Sequence, residues 1–135
     1  EYIEHLINYY SLEIVPKSQR NLGFYSRFFL ILKKNWKWRP ILDLRNVNKF
    51  LKKQSFRMVT LQEMLQLMRE GEYMTKLDLQ NTYFHILIHQ KQRKYLCFML
   101  AGQHYQFKAL LFGLKSAPRI FTKCVVPISA FLKRV

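Results

Sequence analysis

The sequence predicts an α+β domain in which the strands pair as antiparallel hairpins and the helices pack against them. The stretches YSRFFLIL and WRPILDL are rich in aromatic and β-branched residues and flank the polar KKNWK, so residues 26–44 are predicted to form a hairpin. KYLCFMLAGQHYQFKAL predicts a second hairpin that turns at Ala101 and Gly102. The connections are short and hairpin-like, which favours α+β over a fold built from βαβ units.

The first predicted helices lie before residue 52. In EYIEHLINYYSLEIV the apolar residues follow helical spacing at Ile3, Leu6, Ile7 and Tyr10. A short helical turn is predicted from Asn46 to Leu51.

Two later helices are predicted from their boundary residues. Thr60 and Glu63 have the spacing of a capping box, which begins a helix through LQEMLQLMRE that stops at Gly71. Ser116 is a predicted N-cap, with Pro118 in the first turn of a helix that runs toward Leu132. Pro127 should kink or interrupt that last helix, because proline removes a backbone donor.

The composition indicates a folded chain that binds a polyanion. Its 135 residues include 23 Lys and Arg against 8 Asp and Glu, a net charge of +15, and half are hydrophobic. Between Lys17 and Lys53 there are 11 basic residues and one acid, Asp43. Nucleic acid is the leading partner. An anionic membrane surface is the alternative, but no basic amphipathic helix stands out and no membrane partner is expected.

Other features narrow the class of protein. There is no apolar run of 18 residues and no signal peptide, so we expect a soluble intracellular protein, in the cytoplasm or the nucleus. Cys97 and Cys124 lack CxxC spacing and are predicted to be buried, reduced thiols. His85 and His89 are four residues apart, but HILIH alternates as a strand does, so zinc is not expected.

Asp78 is one of only two aspartates and lies near the end of YMTKLDL, an otherwise largely apolar stretch that predicts a strand. A carboxylate at a strand end, five residues before an aromatic ring at Tyr83, suits a Mg²⁺ site next to a nucleotide sugar. The alternative is an aspartate that caps the next helical turn. The position of Asp78 alone leaves both open.

Five motifs in order decide between them: KKNWKWRPILDLRNVNKFL, FRMVTLQEML, MTKLDLQNTYFHILIH, RKYLCFML and LLFGLKSAPRIFTK. From about Phe28 to Lys123 the chain resembles a reverse transcriptase, an RNA-directed DNA polymerase, and more narrowly that of gypsy-like or DIRS-like retrotransposons. The resemblance implies a right-hand polymerase fold and templated deoxynucleotidyl transfer by two-metal chemistry. Residues 1–58 would be fingers, 59–85 palm with the first catalytic motif, 86–116 a second fingers segment with the nucleotide-side loop, and 117–135 a palm helix.

The resemblance also implies roles for residues of the palm. Asp78 and the backbone carbonyl of Leu79 would bind the metal, two Mg²⁺ or Mn²⁺ ions in the complete enzyme. Tyr83 would lie against the sugar and exclude a 2′-hydroxyl, or else pack in the core. Phe84 is expected in the core.

Cationic and loop residues complete the implied site. Lys33 or Lys34 would hold the triphosphate, Arg39 would lie against the incoming base and reach its phosphates, and Phe112 and Gly113 would border the nucleotide. The residues assigned to the template-primer are Lys37, Arg45, Asn48, Lys49 and Pro118. The implied partners are an RNA or DNA template-primer and deoxynucleoside triphosphates, with RNase H or recombinase domains downstream.

The chain departs from the family pattern at three positions: Asn81 replaces an acidic residue, Thr82 an alanine and Leu111 a proline. It also stops before the third palm motif, which carries an aspartate pair. Two metal ions roughly 3.5–4 Å apart need several carboxylates to offset their repulsion, and Asp43 is expected to pair with a nearby arginine instead. We therefore expect these 135 residues alone not to polymerise DNA efficiently. A non-catalytic nucleic-acid-binding module is the alternative function.

Overall fold

The computed structural model of the chain describes residues 2–8 and 11–132 and has the predicted α+β architecture. In chain order the helices and strands are α1 (Tyr2–Asn8), β1 (Leu12–Ile14), β2 (Phe28–Leu32), β3 (Trp38–Leu42), α2 (Arg45–Phe50), α3 (Leu61–Leu67), β4 (Cys97–Leu100), β5 (Gln103–Phe107) and α4 (Ala117–Leu132). Short 3₁₀ turns are present at Lys17–Gln19, Thr82–His85 and Gln90–Tyr95.

The larger sheet has three antiparallel strands in the order β1-β5-β4. The β4–β5 hairpin turns at Ala101 and Gly102, as predicted, and both residues have positive φ (49° and 74°). Two positive φ values are typical of the tight turns that match the twist of paired strands. Strand β1 adds at the other side, with Leu12 opposite Phe107. The N-terminal helix ends at Asn8, and Tyr10 lies outside the described residues.

The second sheet is the predicted basic hairpin. Strands β2 and β3 pair from Phe28 opposite Leu42 to Leu32 opposite Trp38. The KKNWK turn closes through the Lys33 N–H, which donates to the Lys37 carbonyl oxygen at 2.8 Å. Both the hairpin and its turn are confirmed.

The hairpin is joined to the larger sheet at Gly23 and the residues after it. The N–H groups of Phe24 and Ser26 donate to the carbonyl oxygens of Lys94 (2.7 Å) and Cys97 (2.8 Å). A Cβ at Gly23 would lie 2.4 Å from the Lys94 carbonyl oxygen, so this close backbone approach requires glycine. The Phe28 ring then stacks on Phe98 at 4.3 Å, which places β2 against β4.

One hydrophobic core lies between the larger sheet, β3, α2 and the start of α4. Its most buried side chains are those of Leu6, Leu12, Leu42, Leu44, Leu96, Phe98, Phe107, Leu110, Leu111 and Ala117. At its edge, Glu13 of β1 accepts hydrogen bonds from Arg93 (3.1 Å) and from Gln106 of β5 (2.7 Å). A partly buried carboxylate is satisfied there by a cation and an amide, which fixes the Gln90–Tyr95 turn to the sheet.

Helix α3 begins at the predicted capping box. The Thr60 hydroxyl accepts from the Glu63 N–H (3.2 Å), and the Glu63 carboxylate accepts from the Thr60 N–H (2.8 Å). The hydrogen bond from the Thr60 N–H is the main cause of the lowered pKa of Glu63. The helix ends at Leu67, before the predicted stop at Gly71, because Met68 is already extended (ψ 136°).

Three predictions are wrong. YMTKLDL is not a strand; residues 72–80 are exposed and pair with no other segment among the described residues. Pro127 does not interrupt helix α4, which continues through it from Ala117 to Leu132. Cys97 is buried, and burial raises the pKa of its thiol to about 11, but Cys124 is exposed.

Among the described residues, no helix has both the length and the apolar character that a membrane span requires.

Candidate nucleotide and nucleic-acid site

Three of the predicted nucleotide-binding residues meet in one cluster, although they are far apart in the sequence. The Arg39 guanidinium carbon lies 5.1 Å from the centre of the Phe112 ring. The Tyr83 ring lies 4.8 Å from Phe112 and 5.8 Å from Phe121. We call these four residues, Arg39, Tyr83, Phe112 and Phe121, the ring cluster. A cation beside an aromatic face is attracted by the ring, so Arg39 is held in place without an anion.

The position of Tyr83 follows from the short turn that carries it. Asn81 adopts the left-handed conformation (φ 53°), which asparagine tolerates better than most residues, and the 3₁₀ turn Thr82–His85 follows. The Thr82 hydroxyl donates to the Leu79 carbonyl oxygen at 2.8 Å. Tyr83 is half-buried at the core edge, and Phe84 packs against the core as predicted. Tyr83 therefore combines a packed ring with partial access to solvent.

Phe112 precedes a loop whose shape depends on Gly113. The φ of Gly113 is +92°, a conformation that strains any residue with a Cβ. The Asn48 amide donates to the Gly113 carbonyl oxygen (2.8 Å) and accepts from the Lys115 N–H (2.9 Å). Leu111, at the position where the family has proline, is buried in the core. The loop is thus fixed on both sides of Phe112.

Pro118 lies in the first turn of α4 and is half-buried; its carbonyl oxygen accepts from the Thr122 hydroxyl at 2.8 Å. Phe121 lies one turn further on, which brings it against Tyr83. Sequence reasoning missed Phe121. Its signal was the spacing of Ala117, Ile120 and Phe121, which marks the inward face of a helix.

The lysines of the hairpin turn are exposed. Lys33, Lys34 and Lys37 form no ion pair within the described residues. Arg39 belongs to the ring cluster, whereas no contact among the described residues joins Lys33 or Lys34 to it. The turn therefore presents three cations to solvent beside the strand that carries Arg39.

Asp43 pairs with an arginine, as predicted. The Arg45 Nε and Nη2 donate to its two carboxylate oxygens at 2.9 Å and 2.7 Å. These hydrogen bonds lower the pKa of Asp43 to about 2 and raise that of Arg45. Arg45 is thereby oriented at the start of α2, where Lys49 donates to Asn46 (3.2 Å) one turn later.

Asp78 is exposed, as are its neighbours Leu77 (72%) and Leu79 (54%). Its carboxylate accepts no hydrogen bond from the described residues. The Asp78 carboxylate and the Leu79 carbonyl are hard oxygen donors, the kind of ligand that Mg²⁺ prefers. As a donor set they suit one Mg²⁺ ion that keeps several of its water ligands. Within the described ranges, no three His, Cys, Asp or Glu side chains come together as a metal site.

His85 and His89, the pair four residues apart, have separate hydrogen-bond partners. His85 Nε2 lies 2.9 Å from the Gln80 carbonyl oxygen. His89 Nδ1 accepts from the Lys91 N–H at 3.3 Å and so caps the Gln90–Tyr95 turn. Each ring has a local structural contact.

The sequence of the chain matches a known protein family. A family model described as reverse transcriptase (RNA-dependent DNA polymerase) matches residues 31–135. The chain is 30% identical over 103 residues to a retrovirus-related Pol polyprotein from transposon 412 of Drosophila melanogaster, covering 71% of the chain and 8% of that protein. It is 27% identical over 92 residues to a genome polyprotein of Petunia vein clearing virus, covering 68% of the chain and 4% of that protein.

Solved structures show the same fold. The foamy viral protease-reverse transcriptase in complex with double-stranded DNA superposes with a TM-score of 0.78 at 22% identity, over 93% of this chain and 25% of that one. The native prototype foamy virus protease-reverse transcriptase gives 0.73 at 24% identity, over 93% and 16%. The chain therefore spans a quarter or less of the proteins it resembles.

Proposed function

Because the chain belongs to the reverse transcriptase family, we propose that it supplies the fingers and the first part of the palm of an RNA-directed DNA polymerase encoded by a retroelement polyprotein. Residues 1–58 and 86–116 would be fingers, and 59–85 and 117–135 palm. The polymerase would join a primer 3′-hydroxyl to the α-phosphorus of a deoxynucleoside triphosphate and release pyrophosphate.

The ring cluster is the observation that carries the proposal. Arg39 from β3, Tyr83 from the 3₁₀ turn and Phe112 from the Gly113 loop converge, although motif spacing alone does not require it. A guanidinium binds phosphate oxygens bidentately, and the two rings offer flat surfaces to a sugar and a base. The arrangement therefore suits an incoming nucleotide, with Arg39 toward its phosphates and Tyr83 toward its 2′ position.

Asp78 and the Leu79 carbonyl would hold a Mg²⁺ ion. The ion, when bound, supplies positive charge to the transferring phosphoryl group. Within the described residues no three His, Cys, Asp or Glu side chains come together, and Asp43 is bound to Arg45, so further carboxylates would have to come from residues outside the 135. We accordingly propose that the 135 residues alone do not sustain efficient synthesis.

The template-primer would lie along a surface that we call the basic face, formed by Lys33, Lys34, Lys37 and Arg45. The exposed Lys33, Lys34 and Lys37 and the oriented Arg45 supply phosphate-binding groups, and the net charge of +15 favours a polyanion. The foamy viral relative was solved with double-stranded DNA, which supports a duplex as the partner here. A gypsy-like or DIRS-like source rests on the sequence motifs, and the similarity to the transposon 412 polyprotein supports a retroelement.

A non-catalytic nucleic-acid-binding module is the second candidate. It is favoured by the isolated carboxylate of Asp78 and by Asn81 at a position where the family has an acid. Such a module would keep the basic face and bind duplexes without extending them.

Primer extension on an RNA template separates the two functions. The chain would be expressed with the downstream residues of its open reading frame and supplied with deoxynucleotides and Mg²⁺. We expect incorporation by the wild type and its loss in Asp78→Asn. The matched control is the exposed Glu70, since Glu70→Gln also removes one carboxylate charge and should retain activity. Duplex binding without incorporation by the wild type would favour the non-catalytic module.

A further inference from the structure

Asn48 connects α2 to the loop that follows Phe112. Its side chain forms hydrogen bonds to the backbone of Gly113 (2.8 Å) and Lys115 (2.9 Å). The family resemblance assigns Asn48 to the template side. We propose instead that Asn48 is a positioning residue, which fixes the Gly113 loop and so holds Phe112 against Arg39 for the incoming deoxynucleotide. This inference rests on the proposed polymerase function.

The backbone partners determine which way the Asn48 amide points. The Gly113 carbonyl can only accept and the Lys115 N–H can only donate, so Nδ2 faces Gly113 and Oδ1 faces Lys115. The amide therefore uses both its donor and its acceptor, one with the residue before Leu114 and the other with the residue after it. An aspartate at this position would keep the acceptor and lose the donor.

The loop held by Asn48 also lies against the strand that carries Arg39. A Cβ built at Gly113 would be 4.0 Å from the Leu42 carbonyl oxygen and 4.0 Å from a Leu44 methyl group. Lys115 adds a further link, because its Nζ donates to the Leu51 carbonyl oxygen at 3.2 Å. The loop thus has contacts to the end of β3 and to both ends of α2, and Asn48 supplies the two shortest hydrogen bonds among them.

The position of the Gly113 loop determines where the Phe112 ring lies within the ring cluster. Phe112 immediately precedes Gly113, and its ring lies near both Arg39 (5.1 Å) and Tyr83 (4.8 Å). If the loop shifts, the surface on which Arg39 rests shifts with it. Removing the Asn48 amide should therefore weaken nucleotide binding and leave contacts along the template unchanged.

The test compares Asn48→Ala with Asn46→Ala in the polymerase that carries the chain and its downstream residues. Asn46 is the matched control, since it lies on the same helix and its side chain accepts a hydrogen bond from Lys49. We expect Asn48→Ala to raise the KM for deoxynucleotide about tenfold, the effect of removing two hydrogen bonds, with kcat and the Kd for template-primer within about twofold. Asn46→Ala should match the wild type.

Amide hydrogen exchange gives a readout that does not depend on activity. In Asn48→Ala the Lys115 amide should exchange faster than in the wild type, whereas in Asn48→Asp its carboxylate partner keeps it protected. A higher Kd for template-primer with an unchanged KM for deoxynucleotide would return Asn48 to the template side and overturn the inference. Absence of incorporation by the wild type would instead count against the polymerase function itself.

Discussion

Tyr83 is a single side chain for which packing and nucleotide selection make different predictions. Its ring packs on Phe112 and Phe121 but remains half-exposed. If it borders the sugar, Tyr83→Ala opens the space where a 2′-hydroxyl would clash. We expect ribonucleotide use to rise by on the order of 10²-fold relative to deoxynucleotides, measured as the ratio of kcat/KM values in the polymerase with its downstream residues.

The control for this substitution is Tyr83→Phe, which keeps the ring and should keep the discrimination. Truncating a fully buried aromatic costs about 3–5 kcal/mol of unfolding free energy, and truncating the half-buried Tyr83 should cost less. An equal decrease in activity with both kinds of nucleotide, together with a lower Tm, would make Tyr83 a packing residue only.

Asp43 gives a pH-dependent prediction at the same scale. Its folded-state pKa is lowered from 3.8 to about 2 by hydrogen bonds from Arg45. The folded chain thus binds this proton more weakly than the unfolded chain, so the stabilisation is complete above about pH 3.8 and is lost as the pH falls toward 2. In Asp43→Asn this part of the acid destabilisation should be absent.

The measurement is the Tm of wild type and Asp43→Asn between pH 2 and pH 5, at fixed ionic strength. The gap between the two should be largest at pH 5 and close as the pH falls. Glu63, whose pKa is also lowered, contributes equally to both proteins and so cancels in the comparison. A gap that does not change with pH would mean that the pair with Arg45 does not persist in solution.

At the scale of elements, local signals predicted what depends on neighbouring residues. The KKNWK turn, the Ala101–Gly102 turn and the Thr60 capping box are each specified within a few residues, and the structure confirms all three. The YMTKLDL strand failed because a strand needs a partner strand, which no local pattern supplies. The predicted burial of Cys124 was wrong for a similar reason. A helix face is buried only where another element packs against it, and Cys124 on α4 is exposed.

The candidate site was predictable in composition but not in geometry. The motifs named Arg39, Tyr83 and Phe112, yet their contact depends on how three separate elements pack. Asn48 was assigned by motif position, and only its hydrogen bonds to Gly113 and Lys115 indicate a different role. Such long-range backbone contacts leave no periodic trace in a single sequence.

The β2–β3 hairpin carries a prediction about electrostatics. Lys33, Lys34 and Lys37 are exposed at its turn, where a phosphate backbone can approach them. Replacing all three with alanine should lower the affinity for template-primer and flatten its salt dependence. The slope should fall by roughly 0.7–0.9 for each phosphate group that the variant no longer neutralises.

The matched control removes the same charge elsewhere, at the exposed Lys17, Lys91 and Lys123. If binding depends on net charge alone, both triple variants change the slope equally. A larger effect at the hairpin locates the phosphate-binding groups there. An unchanged slope in the hairpin variant would exclude this turn from the duplex interface.

The whole molecule divides into a packed part and an exposed part. Phe98 of β4 and Phe107 of β5 are fully buried, whereas the apolar side chains of residues 56–79 are exposed. The exposed ones are Phe56, Met58, Val59, Leu61, Met64, Leu65, Leu67, Met68, Tyr73, Met74, Leu77 and Leu79. Exposed apolar surface on this scale marks an interaction site or a tendency to aggregate. The stability of the 135 residues should therefore come from the packed part.

Paired substitutions in the two parts test this division. Leu65 on α3 is 56% exposed and Phe98 is 0% exposed. Leu65→Lys should change the unfolding free energy of the chain by no more than about 0.5 kcal/mol, as surface substitutions usually do, and should lower self-association because it interrupts the apolar surface. Phe98→Ala should cost about 3–5 kcal/mol, since it leaves a cavity beside Phe28 and Phe107. Urea unfolding at two protein concentrations measures both effects. Comparable destabilisation by the two substitutions would show that α3 is packed in solution and that the core extends over residues 56–79.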